Sequence, residues 1–189
     1  MNFLAHMLLA GEIPEHRLGN FIADHVKGKA IETYSPLIRE GIIHHRKIDT
    51  FTDTHEVFLH TVSVIRPELG RYSAVAADMF YDHFLAKYWQ NYSDENRLAF
   101  THKVYASLQP FHEQMPAGSQ KTFEYMTYRN WLYNYADIPF LNRCFRGLDQ
   151  RAAFSNRFQM ATTVLVNNYD ILRSDFRKFM PIVIEALGK

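Results

Sequence analysis

Residues 41–55, GIIHHRKIDTFTDTH, place His45, Asp49 and Asp53 at successive four-residue intervals. An α-helix turns once in about 3.6 residues, so groups at that spacing stack on one face, one turn above another. A second stretch, DMFYDHF at residues 78–84, repeats the device with Asp78 and Asp82, and His83 follows directly. Apolar residues interleave both columns: Ile42, Ile43, Ile48 and Phe51 in the first, Met79, Phe80 and Phe84 in the second. A solvated charged face would lack them. Carboxylates on a half-buried face need partners, and two on adjacent turns repel each other. The fold must therefore bring helices together around their own polar columns.

The rest of the chain carries the same helical period, with no apolar–polar alternation long enough for a sheet. The expected fold class is all-α, a single-domain helical bundle over residues 1–189. Hydrophobic residues are 47% and aromatics 15%, so the core should be rich in Phe and Tyr. Residues 2–10 predict a short helix ended by Gly11. Pro14 opens a second that stops near Gly28, with Leu18, Phe21, Ile22 and Val26 as its buried stripe. Ser35-Pro36 starts a third, in which Gly41 allows a close backbone approach and a break is expected within residues 50–54. A fourth runs from His55 to about Ile65, with Asp53 as a candidate cap and Arg66-Pro67 as the stop. Residues 72–89 predict a long amphipathic helix with Val75, Met79, Phe80, Phe84, Leu85 and Trp89 on its core face. Later helices are expected from Ser93 to about Met115 with a kink at Pro110, over 119–136 and over 138–148. The last runs from Ser155 toward Leu187, interrupted near Pro181.

Composition narrows the function. The net charge of +1 argues against a dedicated nucleic-acid binder, which needs a basic excess. The lone Cys144 excludes an intrachain disulfide and a thiolate metal site, and fits a cytoplasmic setting. The N-terminus lacks the basic region of a signal peptide, and no apolar run approaches the roughly 20 residues that span a bilayer. A soluble protein without membrane attachment is expected. There is no glycine-rich phosphate loop, no GxSxG and no cysteine nucleophile arrangement.

Spacing collects His6, Asp24, His45, Asp49, Asp53, His55, Asp78, Asp82 and His83 from at least four helices. Each also has a plainer reading. His6 suits a core histidine with one hydrogen bond, Asp24 a local salt bridge, Asp53 a helix cap. A mononuclear centre takes about four to six donors, so not all of these can be ligands. A His/Asp set without Cys suits Mn, Mg, Fe or a catalytic Zn. Such a cation lowers the pKa of bound water and neutralises a phosphoryl oxygen. Arg46, if close, would hold a non-bridging phosphate oxygen, and a spare carboxylate would serve as general base.

At these residues the chain resembles the acyl carrier protein phosphodiesterase family. The likeness rests on MNFLAH at 1–6, GNFIADHVKG at 19–28, GIIHHRKIDTFTDTH at 41–55 and DMFYDHFLAKYW at 78–89, with WLYNY at 131–135 more weakly. It implies an HD-like phosphohydrolase architecture and a divalent metal, preferentially manganese. It also implies hydrolysis of the phosphodiester that joins 4′-phosphopantetheine to a serine of acyl carrier protein. The family-like positions are His6, Asp24, His45, Arg46, Asp49, Asp53, Asp78, Asp82 and His83. The adjacent pair Asp82-His83 reverses the usual His-Asp order of HD proteins, so ligand roles are not copied from them. His45 is preferred over His44 because it is in phase with Asp49.

The expected ligands are His6, Asp24, His45, Asp49, Asp78 and Asp82, with Arg46, Asp53 and His83 as catalytic groups. Acyl carrier proteins are acidic, so Lys27, Lys29, Arg66 and Arg71 are the expected partner-facing cations, among a basic set that includes Arg39 and Lys47. Two other readings stay open. One is a metal-dependent phosphohydrolase acting on a small phosphoester or nucleotide. The other is a non-enzymatic helical module whose polar clusters are buried salt-bridge networks.

Overall fold

A computed structural model describes residues 1–150 and 153–189. Among these residues there are eleven α-helices and no strand, as the periodicity requires. They are α1 (Phe3–Leu9), α2 (Pro14–Ile22), α3 (Pro36–Thr54), α4 (Glu56–Leu69), α5 (Ser73–Lys87) and α6 (Arg97–Leu108). The remainder are α7 (Ala117–Tyr128), α8 (Trp131–Asn134), α9 (Ile138–Asp149), α10 (Ala161–Asn167) and α11 (Tyr169–Leu187).

Helix α5 is the axis of the bundle. Both of its faces are buried, from Ala76, Phe80 and Phe84 on one to Tyr81 and Leu85 on the other. A helix that is apolar all round belongs in the centre of a domain. The expected amphipathic helix is therefore wrapped by α1, α4, α8, α9 and α11. Val75, expected in the core, is 41% exposed.

Helices α2 and α3 cross at two glycines. A Cβ on Gly19 would strike the Ile38 carbonyl, and one on Gly41 would strike the His16 carbonyl and lie 2.9 Å from the Asn20 amide nitrogen. The close approach sets Asn20 against the turn of α3 that carries His44 and His45.

Several expected boundaries move, each for a local reason. Helix α3 continues unbroken to Thr54, and His55, rather than Asp53, caps α4 by accepting from the Val57 amide at 3.2 Å. Pro67 sits in the last turn of α4, which ends instead at Gly70 with φ +61°. The second helix stops at Ile22 and passes into a 3-10 turn, Ala23–His25. The helix before Pro110 ends at Leu108 and continues as 3-10 turns. Asn130 takes φ 45° and splits the aromatic segment into α7 and α8, a conformation that Asn tolerates better than most residues. The last segment breaks at Asn168, and α11 runs through Pro181 because Phe179, Met180 and Val183 stay buried around it.

Candidate metal centre

Three elements converge on one point. Helix α1 brings His6, α3 brings His45 and Asp49, and the turn after α2 brings Asp24. His6 Nε2 lies 3.0 Å from Asp49 Oδ1, and His45 Nε2 lies 3.0 Å from Asp49 Oδ2 and 3.3 Å from Asp24 Oδ1. The two imidazoles stack with ring centroids 4.0 Å apart. Both histidines are buried, whereas the Asp24 side chain is 71% exposed, so the cluster opens to solvent on that side.

Asp82 positions α1 from below. It accepts hydrogen bonds from the amides of Leu4 (2.7 Å) and Ala5 (3.0 Å), satisfying the helix's first free N–H groups. Burial pushes its carboxyl up to about 7, against the pull of those two donors. Asp78, one turn earlier on α5, lies 2.9 Å from the Met1 amino group, which is itself 3.7 Å from Asp49.

Charge at the cluster is uneven. Burial drives His6 down to about 4, and the charge on His45 adds to this while Asp49 opposes it. Burial also works against His45, but Asp24 and Asp49 outweigh it and raise this group to about 9. Burial opposes ionisation of Asp49 as well, yet His45 and His6 hold it well below the usual carboxylate range.

The donor set fits a divalent cation. One nitrogen each from His6 and His45 and one oxygen of Asp49 all lie within 4.8 Å of one another. A neutral imidazole has a single N–H, yet His6 faces oxygen acceptors at both nitrogens: Asn20 Oδ1 at 2.9 Å and Asp49 at 3.0 Å. His45 Nε2 is buried and in hydrogen-bond geometry with nothing, although two carboxylates lie within ion-pair distance. A cation among these three groups would satisfy both nitrogens and Asp49 together.

Other expected site residues lie apart from this point. His83 is buried, its Nδ1 2.9 Å from the Tyr135 carbonyl and its Nε2 3.2 Å from the Tyr169 hydroxyl. Arg46 is exposed and donates to the Val26 carbonyl at 2.8 Å, which ties the segment after Asp24 to α3. Asp53 is exposed one turn beyond Asp49. Lys27 and Lys29 are exposed on the segment that follows Asp24. Arg66 is exposed on α4, and Arg71 stacks over Phe154 at 4.5 Å.

Sequence reasoning passed over Asn20, which contacts both cluster histidines, His44, which faces Asn20 from behind, and a cleft beside the cluster. The cleft has a volume of about 980 Å³. Met1, Asp24 and Asp78 contribute to its polar lining, together with Arg129 and Asn134. Tyr125, Tyr128 and Trp131 of α7 and α8 form one wall, and Phe140, Arg143 and Leu148 of α9 another. The aromatic density of residues 119–136 was the available signal, and it did not separate core rings from cleft rings.

The class is thus an all-α bundle with a His/Asp centre at the end of an aromatic cleft. A family model described as acyl carrier protein phosphodiesterase matches residues 1–183, and the chain belongs to that family. An acyl carrier protein phosphodiesterase of Enterobacter sp. (strain 638) is 30% identical over 194 residues, covering 100% of this chain and 99% of that protein. The protein of that name from Yersinia pestis is 31% identical over 189 residues, covering 97% of this chain and 96% of its own length. The one from Serratia proteamaculans (strain 568) is 29% identical, covering 98% and 96%. No solved structure matches the chain.

Proposed function

We propose that this protein is a metal-dependent phosphodiester hydrolase that releases 4′-phosphopantetheine from holo-acyl carrier protein and leaves the apo form. The observation that carries the metal reading is the convergence of His6, His45 and Asp49 with an unmet nitrogen on His45. The names of the full-length relatives support the substrate.

In this reading His6, His45 and Asp49 hold the cation, manganese by family resemblance, with magnesium, iron and zinc also suited to the donor set. Asp24 and Asp78 stand at its solvent edge. A divalent cation held there would supply an acidified water and charge neutralisation at a phosphoryl oxygen. Asp24, exposed and 3.3 Å from His45 Nε2, would be the carboxylate placed to accept a proton there. Asp82 and His83 act from the interior: the first holds α1 and hence His6, the second ties α5 to Tyr135 and Tyr169. The adjacent Asp82-His83 pair therefore stands outside the proposed centre, and the HD-like architecture rests on the family resemblance alone.

The cleft suits the arm. Pockets of roughly 300–1,000 Å³ lined by aromatic side chains with a few polar groups hold elongated small ligands. Trp131 and Tyr128 offer apolar faces to a chain whose phosphate end lies toward Asp24 and Asp78. Lys27 and Lys29, exposed beside Asp24, are placed to meet an acidic carrier protein, an attraction that salt would weaken. Among the described residues no helix is long and apolar enough to cross a membrane, and the cytoplasm is the setting we assign.

The test is release of phosphopantetheine from holo-carrier protein by chelator-stripped protein, with and without added Mn²⁺. Wild type should depend on the metal, and Asp49→Ala should lose both metal and activity while keeping its fold. An Asp49→Ala protein as active as wild type refutes the centre. Metal binding without release redirects the search to small phosphoesters. Neither metal nor release would favour a salt-bridged binding module.

A further inference from the structure

Asn20 lies at the back of the centre and is fully buried. Its Oδ1 is 2.9 Å from His6 Nδ1 and 3.3 Å from His45 Nδ1. Its Nδ2 faces His44 Nδ1 at a long 3.4 Å. His44 is buried as well, and its Nε2 is 2.8 Å from the Leu187 carbonyl at the end of α11.

These contacts leave one consistent assignment of protons. A carbonyl only accepts, so the proton on His44 is on Nε2. Charging His44 would bury a cation with no carboxylate among these contacts, which is costly. Its Nδ1 is therefore a lone pair and accepts from the Asn20 amide. That fixes the amide: nitrogen toward His44, oxygen toward the ligand pair. The oxygen can only accept, so it takes Nδ1–H from both His6 and His45. Their Nε2 atoms are then the metal-binding positions, and both point at Asp49.

We infer that Asn20, locked by His44, is the positioning residue that sets His6 and His45 as a matched pair and directs both Nε2 lone pairs to one point beside Asp49. The inference rests on the metal reading above for its purpose, but its geometry is independent of substrate. It assigns a role to His44, which spacing alone set aside. It also links the centre to the last turn of the chain's longest C-terminal helix. An amide oxygen that receives the N–H of two ligand histidines sets the tautomer and ring orientation of both.

The test uses chelator-stripped full-length protein. Long-range ¹H–¹⁵N spectra of the histidine rings report which nitrogen carries the proton. Wild type should show His6 protonated at Nδ1 before metal is added. With Zn²⁺ as a diamagnetic probe, both His6 and His45 should show Nδ1–H with Nε2 bound. Calorimetric titration should show Asn20→Leu binding Zn²⁺ and Mn²⁺ about 10–100-fold more weakly, the range for lost orienting partners. Asn20→Asp retains an acceptor for both rings but has no N–H to offer His44, so it should recover only part of that loss. His44→Phe leaves every ligand in place and should still weaken binding by about tenfold.

A wild-type His6 protonated at Nε2 overturns the inference. So does a folded Asn20→Leu or His44→Phe protein with wild-type affinity. If Asn20→Leu does not fold, His44→Phe and the wild-type His6 tautomer decide the question. If wild type binds no metal, the centre itself fails, and the His6 tautomer still judges the relay separately.

Discussion

Gly41→Ala should disable the centre without touching a ligand. Gly41 is one turn before His45 on α3, at the crossing with α2. Its added Cβ would lie 2.9 Å from the Asn20 nitrogen and nearer still to the His16 carbonyl oxygen. Carbon contacts are comfortable near about 3.5 Å, so the helices must part by about 1 Å or more. Both struck atoms are backbone and cannot swing aside. Nor can the helices slide easily, because Gly19 is equally tight against the Ile38 carbonyl. Overpacking of this kind costs about 1–3 kcal/mol. For a domain of this size each kcal/mol lowers Tm by about 2–4 °C. The same displacement carries Asn20 and Asp24 away from His45, so metal affinity should fall about 10–100-fold. Turnover should fall by about 10²-fold, as for a 1 Å misplacement of reacting groups. Thermal unfolding of the stripped protein and Mn²⁺ calorimetry read the two effects separately. A Gly41→Ala protein with wild-type Tm and wild-type affinity would refute the close crossing as the device that builds the site.

The remaining predictions concern protons, the cap and the cleft. His45 is raised from 6.5 to about 9 by its two carboxylates against burial, so a cation must displace a proton below that value. Apparent Mn²⁺ affinity should therefore rise by about tenfold per pH unit from neutrality to about pH 9 and then level, and a flat profile would exclude His45 as a ligand. The same raised group stabilises the stripped protein fully below pH 6.5, and Tm should decline as pH climbs through about 9. Asp82→Ala leaves the Leu4 and Ala5 amides buried without their acceptor, at about 1–3 kcal/mol by chemical denaturation, and weakens metal binding by freeing His6. Trp131→Ala should raise KM for holo-carrier protein with Mn²⁺ affinity unchanged; a change confined to metal affinity would remove the cleft from the arm's path.

Much of the site was legible because helical spacing is a local property. His45 and Asp49 are neighbours on any α-helix, whatever surrounds it, and their pairing at 3.0 Å follows from four-residue spacing. The all-α class followed from the same period, and the family motifs agreed with it. Asp82 shows where that reasoning ends. Its spacing from Asp78 is equally regular, yet its carboxylate is taken by the start of α1, 77 and 78 residues away in sequence. Spacing identifies which residues share a face but does not say what the face meets. His83 is a similar case: a histidine beside a carboxylate in sequence, held in the structure by Tyr135 and Tyr169 from α8's end and α11.

The sequence by itself determined the helical character of the chain, the two polar columns and the glycines that permit a close crossing, because each depends on local covalent geometry and side-chain period. Tertiary structure decided the rest. It chose His6, His45 and Asp49 from nine candidates, since convergence in space depends on how α1 and α3 dock on α2 and α5. It placed α5 at the centre, turned Val75 outward to line the cleft, and made Asn20 the common partner of two histidines. Those outcomes depend on contacts between residues far apart in the chain, and such contacts leave no periodic mark on any one segment.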